Sequence, residues 1–420
     1  MARTVAELPG GARVTDFISL GVISERIPIE HVRRVLKETD RESQRQRKLP
    51  MHVMVYYVIA LALHMEVSYG EVLRCLLEGL EWLGLPVKSI RTVQMSSISR
   101  ARMRLGVEPL KRLYEELVVP VATPKTRGAW YAGRRLVSMD GSTLDVADTR
   151  ANEKAFGRPG SSRGTASFPK IRIVSLVENG THVLFGTQHG PYKGSSEIAL
   201  AREVVKSLAS GMLCLADRNF FSYELWKQAV GTEADQLWRI PKPNVLPCIE
   251  RLEDGSYLSK VYPSPRDRKC DRHGITVRVI EYELQGTATP QGGGRQLYRL
   301  ITTLLDPTEA PARDLAALYH DRWEIETAFD ELKTHLRGRN IVLRSKTPEL
   351  VVQELYGLLL AHSAIRGLMH EAALGADIDP DTVSFVHAVR VIRRKLPRYV
   401  AFPPSGRSDG ALRRDPRRDP

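Results

Sequence analysis

From Ala312 to Leu336 the chain contains neither proline nor glycine, and this stretch constrains the fold more than any other. Pro311 precedes it, where a first helical turn tolerates proline, and Gly338 follows, where a helix stop is expected. Leu318, Ile325, Phe329, Leu332 and Leu336 recur at helical spacing. The stretch therefore reads as one helix burying one apolar stripe. A second line runs beside it. At about 100° per residue, Tyr319, Arg322, Glu326 and Lys333 fall within roughly 60° of each other, and the apolar stripe is centred roughly 80° away. A phenol, two cations and a carboxylate thus share the edge of the core. Such a line is either a solvated face that mixes charges or the wall of a site.

The rest of the composition bounds the choice. A chain of 420 residues builds two or three domains with real cores. A net charge of +13 and a pI near 9.6 favour a polyanionic partner, nucleic acid before membrane. Four scattered cysteines form no disulfide framework and fit a reducing cytosol. Cys270 and His273 have ligand-like spacing with Cys248 nearby, but three candidates in a polar loop fall short of a zinc site. The N-terminus lacks a basic-then-apolar signal pattern. The greasiest run, His52 to Met65, is shorter than the ~20 residues a bilayer span needs, so it reads as a buried helix.

Residues 1–125 read as a helical domain, with helices over Pro28–Thr39, Leu49–Met65, Ser68–Leu80 and Ser96–Leu105. A charged connector, residues 40–48, joins the first two. Ser96 or Ser97 is a candidate N-cap for the helix that carries Arg100, Arg102 and Arg104. A short helix, a turn and an Arg-bearing helix suit a major-groove reader; a small bundle with a basic face is the alternative. Pro120–Arg135 reads as a linker. Strand patterns follow at Leu136–Asp140, with Thr143–Ala147 as a hairpin partner, then at Ile171–Val177 and Val183–Gln188 around an Asn179-Gly180 turn. Ala155–Gly164 reads as a mobile loop. A helix opens at Ser195–Glu197, a strand covers Met212–Ala216, and a helix covers Tyr223–Val230. Residues 237–305 are β-rich, with strand-like runs at Tyr257–Tyr262, Thr276–Leu284 and Leu297–Thr303. Helices are expected over Leu350–Ala373 and Val383–Arg394, the second ending in a basic run, and residues 403–420 read as a disordered tail.

Three acids stand out. Asp140 and Asp217 end the first and fourth of these core strands, and Glu326 lies on the long helix. Uncompensated carboxylates gathered at one edge repel and shift upward in pKa, and divalent cations remove that cost. A magnesium pair held by carboxylate and water oxygens can activate water and stabilise a phosphodiester's leaving oxygen. Glu324 and Glu331 point roughly 120–140° from Tyr319 and face away. Asp330 is the one rival to Glu326.

The order Tyr, two residues, Arg, three residues, Glu, six residues, Lys resembles the signature of bacterial cut-and-paste transposases of the insertion-sequence-four family. All four positions match without gaps, and the likeness covers nearly the whole chain, weakest over residues 240–295 and beyond 375. The resemblance implies an α/β fold. Its ribonuclease H-like catalytic core (130–236 and 306–345) is interrupted by a β-rich insertion, preceded by an N-terminal helical DNA-binding domain and followed by C-terminal helices (346–402). It implies an Asp140, Asp217, Glu326 triad holding two Mg2+ ions, with Mn2+ as a substitute, and selects Glu326 over Asp330. Tyr319, Arg322 and Lys333 are implied to bind phosphates at the element's end. Family members stack an inserted tryptophan on a flipped base; Tyr298 stands at the equivalent position here, and Trp238 is the other candidate. The expected partners are double-stranded DNA, both terminal inverted repeats and target, and a second copy of the chain in a synaptic homodimer. A hairpin intermediate and a cytoplasmic, nucleoid-associated location follow from the same likeness. A catalytically dead DNA-binding repressor and a structure-specific nuclease on the same core remain the alternatives.

Overall fold

Apolar runs between Arg134 and Thr302 pair into one sheet, and the helices before and after it close over its faces. A computed structural model of the chain describes residues 24–43, 49–82, 95–161, 164–284, 296–338 and 342–392. The strands are β1 (Trp130–Tyr131), β2 (Arg134–Asp145), β3 (Gly160–Ser161), β4 (Gly164–Thr165), β5 (Lys170–Glu178) and β6 (Val183–Pro191). After them come β7 (Met212–Ala216), β8 (Asp235–Arg239), β9 (Glu250–Arg251), β10 (Tyr257–Val261), β11 (Ile275–Leu284) and β12 (Gln296–Thr302). The main sheet runs β6-β5-β2-β7-β8-β12-β11-β10-β9, with β1 paired to β2; β3 and β4 form a separate ribbon. β2, β7 and β8 are parallel, and the flanking pairs are antiparallel. The β-rich stretch therefore extends the core sheet through β12, rather than standing apart from it.

The second core layer is helical. Every residue from Val53 to Leu63 in the helix Met51–Leu63 is buried, which explains why the run is apolar all round. It packs on the long helix Pro348–Ala376. Gly357 permits that approach, because a Cβ there would meet the Val58 carbonyl oxygen at 2.7 Å. No helix of the described residues is long and apolar enough to cross a membrane.

Several expectations need correction. Leu136–Asp140 and Thr143–Ala147 are not a hairpin: β2 runs unbroken through Gly141 and Ser142, which pair with Val174 and Ile173. Asp140 therefore lies inside a strand, not at its end. The supposed linker contains β1 and the start of β2, and the supposed loop at 155–164 contains β3. Ser96 and Ser97 sit inside the helix Met95–Leu105 and do not cap it from outside. The structure adds a helix, Glu108–Leu117, to those expected. The basic run beyond Ile392 and the tail from 403 lie outside the described residues, as do residues 44–48 of the connector.

Candidate active site

The parallel pairing of β2 with β7 ends at Met139 and Ala216. The next residue on each strand is an acid, so Asp140 and Asp217 emerge side by side where the ladder stops. Asp140 and Ser142 share one face of β2 because side chains alternate along a strand.

The segment Ala312–Leu336 lies across this edge, and its apolar stripe is buried as its spacing demands. It is continuous but not one regular α-helix. α-Helical turns cover Ala312–Leu318 and Glu324–Asp330, a 3₁₀ stretch covers Tyr319–Trp323, and a π-helical stretch covers Glu331–Leu336. Both irregular stretches carry signature residues, and π insertions are frequent at functional sites.

The signature docks along the two strands. The Tyr319 hydroxyl lies 3.4 Å from the Ala216 carbonyl. Arg322 donates to Asp140 Oδ2 at 3.2 Å and stands 3.6 Å from Glu326 Oε1. Lys333 Nζ donates to Ser142 Oγ at 2.9 Å. One guanidinium thus bridges two of the three candidate carboxylates, and Arg239 lies 4.0 Å from the third, Asp217. Asp140 is held above the ordinary carboxylate range by burial, despite the Gly141 N–H and Arg322; Asp217 and Glu326 push it the same way. Arg322 is raised although burial opposes it, because Tyr319 and the three acids favour its charge. Burial lowers Lys333. Glu324 and Glu331 do face away from this edge, as the helical count required.

Beside Asp217, Tyr298 stacks on Tyr282 at 5.3 Å, and Arg239 lies 4.0 Å over the Tyr298 ring. His320 closes the group at 6.3 Å from Tyr298. Trp238 is not available for stacking. It is fully buried, edge-on to Trp226 at 5.2 Å, and its indole N–H donates to Gln236.

Residues 131–364, over half of the chain, match the family model described as "Transposase DDE domain", and residues 17–115 match "Insertion element 4 transposase N-terminal". The chain belongs to the insertion-element-4 family of DDE transposases. It is similar to "Transposase InsG for insertion sequence element IS4" of Escherichia coli (strain K12), 29% identical over 87% of this chain and 80% of that protein. It is also similar to "Putative transposase InsZ" of the same organism, 22% identical over 65% of this chain and 93% of that protein.

As a DDE transposase the enzyme is a DNA endonuclease and strand transferase. Its mixed α/β architecture with a large central sheet is consistent with a ribonuclease H-like core. The family implies DNA as partner and a divalent metal as cofactor. The structure corrects one DNA-contact expectation for the transposase. Arg102 is 2% exposed, donates to Gln353 and to the Leu350 carbonyl, and lies 3.8 Å from Glu354. It fastens its helix to the helix Pro348–Ala376. Arg100 and Arg104 are exposed on the same helix.

Proposed function

We propose that Asp140, Asp217 and Glu326 are the catalytic carboxylates of this transposase, and that they cut the phosphodiester at the end of its element. The carrying observation is the edge where β7 stops: two acids on neighbouring parallel strands, with Arg322 linking one of them to Glu326.

The donor set suits hard divalent cations, since every candidate ligand atom is a carboxylate oxygen. Among the described residues the three carboxylates do not converge to the spacing of a single ion. Arg322 occupies the place of positive charge between Asp140 and Glu326; burial holds Asp140 above its ordinary value, and Asp217 and Glu326 add to that in the same direction. Two Mg2+ ions, with Mn2+ as substitute, would supply activation of water and stabilisation of the leaving oxygen when held by these acids.

The chain's own residues do the remainder. Arg322 has a buried Nε without a hydrogen-bond partner, which leaves a donor for a phosphate oxygen. Lys333 supplies a point charge beside Ser142. Tyr319 is 4% exposed, so it supports Arg322, 6.0 Å away, more than it reaches a phosphate itself. Tyr298, half-buried on Tyr282, offers a stacking face for a base drawn out near the cut. Arg100 and Arg104 offer phosphate contacts in the N-terminal domain.

The freed 3′-hydroxyl then attacks the opposite strand, forming a hairpin and releasing the flanking DNA; a second water opens the hairpin and restores the 3′-hydroxyl, which attacks the target by in-line displacement and displaces a target 3′-hydroxyl. The route is cut-and-paste. Two subunits pair the element's ends, in the cytoplasm at the nucleoid. The test is cleavage of a duplex bearing the element's terminal repeat, with Mg2+, by the native chain and by Glu326→Gln. Cleavage lost in the variant with end binding retained supports the proposal. Binding without cleavage by both proteins would make this a repressor, and cutting of junctions without regard to the repeat would make it a nuclease.

A further inference from the structure

On the far side of the signature segment, three elements meet at His182. The residue sits in the β5–β6 turn with φ of 57°, a left-handed conformation uncommon for a side-chain-bearing residue. The turn is fixed before it: at Gly180, with φ of 76°, a Cβ would meet the Arg127 carbonyl oxygen at 2.5 Å. The His182 side chain is 5% exposed, and its Nε2 lies 3.0 Å from Asp381 Oδ1 and 3.7 Å from Glu324 Oε2. Nε2 completes no hydrogen bond. One ligand atom from each of His182, Glu324 and Asp381 lies within 4.8 Å of the others, the one such grouping among the described residues.

We propose that His182, Glu324 and Asp381 bind a divalent transition-metal cation, of the zinc or manganese class. The ion would pin the β5–β6 turn and the turn at Pro380–Thr382 to the segment that carries Glu326.

The donor set argues for that class. One imidazole nitrogen with two carboxylates suits zinc and its neighbours better than magnesium, which prefers oxygen alone. The second ring nitrogen sets a condition on it. His182 Nδ1 faces both Glu331 Oε1, at 3.4 Å, and the Arg366 guanidinium, which can only donate; metal binding requires the tautomer whose Nδ1–H is given to Glu331, leaving Nε2 for the ion. Glu331 is itself held, by Arg366 Nε at 2.8 Å and His362 Nε2 at 3.2 Å. Asp381 is 34% exposed, which gives the ion a way in from solvent. The acids on the Nε2 side also include Asp321, close enough to Asp381 to repel it, while the Arg366 guanidinium sits on the Nδ1 side. The competing arrangement is a doubly protonated His182 that donates to Glu331 and Asp381, and it needs no metal.

The two arrangements separate in a background where the front site cannot bind ions. The full-length chain carrying Asp140→Asn, Asp217→Asn and Glu326→Gln is stripped with chelator and titrated with Co2+. The readings are visible d–d absorption and the melting temperature. The expected result is one bound equivalent per chain with an absorption band, and a melting temperature raised by Zn2+ in the same background. Adding Asp381→Asn should weaken binding at least about tenfold and abolish the thermal shift. That residue is part-exposed on a short turn, so this variant keeps the fold even where His182→Gln does not. Absence of a bound equivalent, or binding that Asp381→Asn leaves unchanged, overturns the proposal.

Discussion

The two sides of the segment Ala312–Leu336 use the same chemical groups to opposite ends. On the front, Asp140, Asp217 and Glu326 have side chains 24%, 21% and 47% exposed, and one guanidinium serves two of them. On the back, Glu331 is 5% exposed and is met by His182, His362 and Arg366 together. Burial alone would raise Glu331, yet those partners carry it well below the usual carboxylate range, while Asp140 is pushed up. A carboxylate that is sealed and fully paired belongs to the scaffold. Carboxylates left wet and short of positive charge are available for a ligand that brings it. The back face is not uniform, however. Glu324, part-buried and repelled by Asp381, is pushed up to about 8, so the half of the back face beside His182 Nε2 resembles the front more than it resembles Glu331.

The largest effect that could break this comparison is catalytic. Asp217→Asn should lower end cleavage on the order of 10⁴-fold, about 5.5 kcal/mol of transition-state stabilisation, and leave the unfolding free energy within about 1 kcal/mol. Single-turnover cleavage and urea unfolding on the same preparation check both halves. A large loss of stability would mean that the front acids are scaffold as well. Next in size is the reciprocal change. Arg366→Met leaves Glu331 buried with weaker compensation and should cost about 3–5 kcal/mol of stability. Cleavage by the fraction still folded should stay near native. If cleavage per folded molecule collapsed instead, the separation of the two faces would be wrong.

Much of the front face was legible in the sequence. Tyr319, Arg322, Glu326 and Lys333 lie on one line, and Asp217 follows an apolar run, because periodicity and strand ends are local properties. Asp140 was located but misread. Gly141-Ser142 after an acid has turn composition, and only pairing with Val174 and Ile173 keeps it extended. The 3₁₀ and π stretches were not legible, since side-chain spacing does not report which carbonyl each N–H chooses. Arg102 looked like a DNA contact because its partners, Gln353 and Glu354, lie far along the chain. The back face carried one signal that went unused. His362 and Arg366 are buried among leucines and alanines of the helix Pro348–Ala376, and polar residues there must find partners or be expelled.

The third effect is a pH dependence. Glu331 has a folded pKa below its unfolded value of 4.5, so the stability it contributes is complete above that pH and is lost as pH falls through the folded value. Melting temperature measured from pH 7 down to pH 3 should fall for the native chain. Glu331→Gln should start lower at neutral pH and lose less on acidification, with a difference in unfolding free energy on the order of 2 kcal/mol. Parallel curves would mean that other acids dominate the acid limb.

The smallest effect concerns Lys333, which the proposed function has contacting a DNA phosphate and which bonds Ser142 rather than any of the three acids. Its ammonium bonds a neutral hydroxyl, Ser142 Oγ, and is half-buried, so it is poorly satisfied within the protein alone. A phosphate oxygen replacing that contact would gain a charge-assisted bond and restore the favourable environment for the ammonium that burial removes. Lys333→Met should therefore weaken binding to the terminal repeat by about tenfold and reduce the slope of log affinity against log salt by about one. Lys333→Arg should recover most of the affinity, because charge at that place matters more than its shape. Arg100→Met, in the N-terminal domain, should reduce the slope by a similar amount while leaving the cleavage rate of bound DNA unchanged. The Lys333→Met variant should slow cleavage of bound DNA as well, since Ser142 is two residues from Asp140 on the same strand face. Equal cleavage rates in the two variants, measured at saturating protein, would move Lys333 out of the site and leave it a general phosphate contact.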